Sequence, residues 1–81
     1  MKGKVVLLNP RKAMAALLTE NGEYTSFVIL RGCEVELGDI LSGELECFGS
    51  ETWHNETKSE NVEVMIEDIY GNKRTALRII S

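Results

Sequence analysis

The chain has 81 residues, 43% of them hydrophobic and 27% charged, with a formal net charge of −4. That length supports one domain around one core, and the composition excludes a disordered or collagen-like chain. No apolar run approaches the ~20 residues of a membrane helix, and the stretch Val5 to Leu8 behind the basic start is too short for a secretory signal, so the expectation is a cytoplasmic protein with no membrane partner.

The first element is Lys4-Val5-Val6-Leu7-Leu8, a short β-branched run stopped by Asn9-Pro10; it predicts a strand near residues 3–9. Residues 11–19 carry two conflicting signals. Their propensity favours a helix capped by Asn9 and opened by Pro10, whereas Asn21-Gly22 between two apolar runs is a hairpin signal and favours a strand. Tyr24 to Leu30 is a strand by composition, predicted over 24–31. Val35 to Asp39 leads through a turn at Gly38 into an alternating segment, predicted as a strand over 40–48, with Gly43 marking a bulge or bend. The polar residues 49–61, which hold the only tryptophan, predict a long loop. Val62 to Ile69 alternates and predicts a strand over 61–69. After the turn at Tyr70-Gly71-Asn72-Lys73, Thr75 to Ile80 is a last apolar segment that suits a sixth strand.

Charge is unevenly placed. Residues 1–12 sum to +4, residues 13–72 to −11 and residues 73–81 to +3. Cys33 and Cys47 with the lone His54 are too few for a four-ligand zinc site, and both cysteines read as small apolar residues. His54 reads as an exposed loop residue, and no Ser-His-Asp arrangement has a second histidine to draw on. Glu67 and Asp68 are adjacent and on a strand point to opposite faces. No base–nucleophile or metal constellation accompanies the many carboxylates, so neither catalysis nor a cofactor is expected.

Five short strands with turn signals between them predict an all-β fold, a five-stranded antiparallel OB-like barrel, because closure removes exposed sheet edges. The barrel spans residues 1–70, with a short C-terminal extension, 71–81, packing on it. Val5, Leu17, Val28, Leu41, Leu45, Val64 and Ile66 are its expected core.

From Gly3 to Leu17 the chain resembles a cold-shock domain, which opens with G-x-V-K-W-F-N-x-x-K-G-F-G-F-I. Gly3, Val5, Asn9, Lys12 and Leu17 fall in step, Asn21-Gly22 sits at the family's turn, Phe27-Val28-Ile29-Leu30 is similar to its F-V-H-F stretch, and Val35 to Asp39 resembles its approach to strand four. The resemblance covers roughly residues 3–45 and implies that residues 13–20 are a strand. It also implies a face on which single-stranded nucleic acid stacks, each base–aromatic stack contributing roughly 1–3 kcal/mol. Here Leu7 replaces the Trp, Met14 and Ala16 replace two Phe, Ile29 replaces the His and Leu30 the last Phe, so that only Phe27 stays aromatic.

Two functions from different classes follow. In the first, Leu7, Met14, Ala16, Phe27, Ile29 and Leu30 form an apolar interaction face on a non-enzymatic binding module, covered by the extension, by the Trp53 loop, by a second copy or by another protein. In the second, the chain is a weak single-stranded nucleic-acid (RNA) binder using Lys4, Arg11, Lys12 and Phe27, with Trp53 and Tyr70 as replacement stackers. The acidic body makes nucleic-acid binding weak or absent.

Overall fold

The β-branched and alternating segments pair into one sheet that rolls up on itself. In the computed structural model, which describes every residue except Cys33, the strands are β1 (Lys2–Asn9), β2 (Met14–Thr19), β3 (Tyr24–Gly32), β4 (Ile40–Ser42), β5 (Gly49–Asn55) and β6 (Glu60–Gly71), followed by a helix α1 (Lys73–Ile80). The strands close in the order β1-β2-β3-β6-β5-β4, all pairs antiparallel, with β4 returning to β1. The fold is a small all-β closed barrel, OB-like in general outline, with a short C-terminal helix.

Residues 14–19 are strand. Pairing on both sides, with β1 and with β3, outweighs their helix propensity, and Gly22 at φ +80° forms the hairpin turn after them.

The barrel has six strands where the sequence predicts five, and the difference lies in residues 43–61. The expected strand 40–48 ends at Ser42. Gly43, at φ +142°, faces the Trp53 ring so closely that a Cβ there would lie 2.8 Å from Trp53 Cδ1. The chain then turns, burying Leu45 in the core, and the expected loop instead supplies β5, which pairs with β6 from Gly49↔Ile66 to Asn55↔Glu60. His54 is accordingly a half-buried strand residue, with Nδ1 2.9 Å from Asn61 Oδ1.

Trp53 and Phe27 meet edge-to-face at the centre of the barrel, ring centroids 4.9 Å apart. Around them lie Val5, Leu17, Leu41, Leu45, Val64 and Ile66, all buried. Val28 is a correction to the expected core. Inward and outward positions alternate along β3, so that Phe27 points in while Val28 sits half-buried beside Met14 and Met65. Cys47 is exposed rather than apolar filling, and Cys33 lies outside the described residues.

A register shift between Val5 and Leu7 bulges β1. One extra residue changes the parity of the strand. Val5 and Leu8 therefore both pack on the interior, and Leu7 turns outward to the cluster beneath α1.

The tail is a helix, not a sixth strand. Asn72 caps it by accepting the Thr75 N–H at 2.9 Å, and Ala76 and Ile80, four apart, share the buried face. They pack over Ala16, with Leu7, Met14 and Tyr24 around them.

Candidate interaction surface

The six apolar residues singled out from the sequence do not form one face. Leu7, Met14 and Ala16 lie on the outer side of β1 and β2, beneath α1. Phe27 is wholly inside the barrel and Ile29 packs against the same core. Leu30, half-exposed at 51%, stands on the outer wall. The cause is strand alternation combined with the β1 bulge.

The expected nucleic-acid contacts are also divided. Lys4 is exposed near one end of β1, whereas Arg11 and Lys12 are exposed in the β1–β2 turn at its other end. Phe27 offers no ring to a ligand. Trp53 is buried, with its indole N–H donating to the Glu44 carbonyl at 3.1 Å. Tyr70 is 63% exposed, at φ +54°, beside the start of α1.

The fold joins the two basic ends of the sequence. Asn9 Nδ2 donates to the Ile80 carbonyl at 2.6 Å, and Lys12 Nζ donates to the Ser81 main-chain oxygen. The end of α1 is thereby tied to the β1–β2 turn. Arg11, Lys12, Lys73, Arg74 and Arg78 are all exposed on these two elements, which carry no acidic side chain.

Two grooves flank that turn. One, of about 330 Å³, runs between the turn and α1 and includes Leu7, Arg11, Leu77 and Ile80. The other, of about 360 Å³, lies between the turn and the β3–β4 connection and includes Ala13, Ile29, Val35, Glu34 and Glu36. Leu8 and Pro10 belong to both. The result is one apolar strip with a cation on one side and carboxylates on the other. Its shape is braced from within, since the Ala13 carbonyl accepts the Ile29 N–H at 2.7 Å.

The acidic side rests on a polar network that the sequence does not reveal. Asp39, 4% exposed, accepts from the Glu36 N–H at 3.0 Å, from Asn55 Nδ2 at 2.8 Å and from Lys58 Nζ at 3.0 Å. Lys58 also donates to the Glu34 carbonyl at 2.7 Å and pairs with Glu36 at 2.8 Å. Burial pushes the Asp39 carboxyl up, but the hydrogen bonds from Asn55, Glu36 and Lys58 outweigh it and hold the group below its ordinary value. The network fastens the β3–β4 connection to the β5–β6 turn. A single signal could have pointed to it, the Asn55-Glu56-Thr57-Lys58 turn chemistry.

Among the described residues, no group of three or more His, Cys, Asp or Glu is placed to hold a metal ion, and no helix is long and apolar enough to cross a membrane. No protein-family model, curated protein or solved structure matches this chain.

Proposed function

We propose that this chain is a non-enzymatic binding module: a cold-shock-like barrel whose former nucleic-acid face is packed by its own helix and whose partner is a protein. The observation that carries this reading is the position of α1. It lies over Leu7, Met14 and Ala16, the positions where the resemblance places stacking aromatics. Phe27, the one aromatic retained, is inside the barrel against Trp53. An apolar strip through Leu8 and Pro10, bordered by exposed Leu77, is left open.

The test is a titration with fluorescein-labelled single-stranded RNA and DNA. The expected result is no sub-micromolar binding at ~150 mM salt, because both the platform and a net positive charge are missing. Sub-micromolar binding there overturns the reading.

A second reading, weak single-strand binding, is favoured by one feature. The fold places Arg11, Lys12, Lys73, Arg74 and Arg78 on two adjoining elements, with exposed Tyr70 beside them. Under that reading Tyr70→Ala and Arg74→Ala weaken binding, and the salt slope falls by roughly 0.7 for each phosphate that is no longer neutralised.

A further inference from the structure

We infer that the apolar strip across the β1–β2 turn is a homodimer interface: a second copy of this chain, related by a two-fold axis, seats on it. This deepens the proposed function, on which it rests, by naming the partner.

Arg11 lines one groove and Glu34 the other, both exposed. Among the described residues neither forms an ion pair, whereas Glu36 is engaged by Lys58. The apolar ground between them holds Leu8, Pro10, Ala13 and Ile29, and Leu77 borders it at 44% exposure. A polyanion would satisfy Arg11 and be repelled by Glu34; a polycation would do the reverse. A surface carrying both signs on either side of an apolar centre is complementary to its own copy. In an isologous pair residue i meets j and j meets i, so a two-fold axis near Pro10 sets each Arg11 against the other protomer's Glu34 and each apolar centre against its equal. Apolar contact supplies the attraction, and opposed charges set the orientation. The strip needs little rearrangement to bind. The Ile29 N–H holds the turn, Asn9 and Lys12 hold the end of α1, and a pre-formed surface loses less entropy on association.

The experiment is sedimentation equilibrium of the full chain from about 10 to 500 µM, a range chosen because a small, partly polar interface is expected to be of moderate strength. Wild type is expected to form a reversible dimer that weakens as salt rises. Arg11→Glu and Glu34→Arg, both at exposed positions, should each raise the dissociation constant at least about ten-fold, since each sets like charges together twice in the dimer. An equimolar mixture of the two variants should associate more strongly than either alone, and the double variant should recover the wild-type dimer. A chain monomeric throughout overturns the inference, as does a dimer that neither substitution weakens, or a mixture no stronger than its components. A monomer that also binds no single strand leaves the protein-binding reading standing and removes only this partner. A monomer that binds single strands tightly removes both.

Discussion

Trp53 is the largest fully buried side chain, and its surroundings satisfy it on every side. Its ring meets Phe27 edge-on, its N–H reaches the Glu44 carbonyl, and Gly43 leaves the space that its five-membered ring occupies. Aromatic pairs of this geometry contribute beyond the area they bury. Trp53→Ala is expected to cost about 3–5 kcal/mol, because a cavity in a barrel closed on all sides collapses poorly. Trp53→Phe keeps most of the packing and loses one hydrogen bond, and should cost distinctly less. Urea unfolding followed by circular dichroism measures both. A loss below about 1 kcal/mol for Trp53→Ala would mean that the ring is not central to the core.

At the scale of elements, α1 is the part least able to stand alone. Eight residues are too few for a stable isolated helix, so its order depends on the Asn72 cap and on Ala76 and Ile80 meeting the barrel. Asn72→Ala should cost about 1 kcal/mol and speed amide exchange in α1 before it affects the strands. Removing residues 72–81 uncovers Leu7, Met14 and Ala16. That chain should melt lower and bind a hydrophobic dye. Unchanged melting after the truncation would show that the helix contributes nothing to the barrel.

For the whole molecule, the Asp39–Lys58 network links stability to pH. The Asp39 carboxyl is held below its ordinary value, so its stabilisation is full above the unfolded value and is lost as pH falls through the folded one. The Lys58 ammonium is held above its ordinary value, first by its hydrogen bond to Glu36 and also by Asp39, against partial desolvation. Its contribution is therefore full below the unfolded value and is lost as pH rises through the folded one. Stability should be level through neutral pH and fall in acid. Asp39→Asn, compared with wild type in urea at about pH 7 and about pH 3, should cost more at the higher pH, where the carboxylate is charged in the parent. Equal costs at both pH values would show that the Asp39 charge is not what holds the β3–β4 connection.

The sequence by itself determined that the chain is an antiparallel barrel, because the β-branched and aromatic composition of residues 24–31, the alternation along 61–69 and the Asn21-Gly22 turn are local signals that survive into the fold. It also determined most of the core: Leu41, Leu45, Val64 and Ile66 stand at the inward positions of alternating segments, and Val5 and Leu17 lie in short apolar runs that pair as strands. Tertiary structure alone decided three matters. Trp53 sits in the polar segment 49–61, which has no strand-like alternation, and β5 forms there because β4 and β6 offer hydrogen bonds on both sides. The direction of Leu7 depends on a one-residue bulge, which shows only where β1 meets β2. The tail is helical rather than extended because the closed barrel has no edge left to pair with a further strand, and an amphipathic turn of helix can still bury Ala76 and Ile80 on its outer wall. The candidate surface arises the same way: Arg11, Glu34 and Leu77 are far apart in the chain and come to one strip only when the barrel closes.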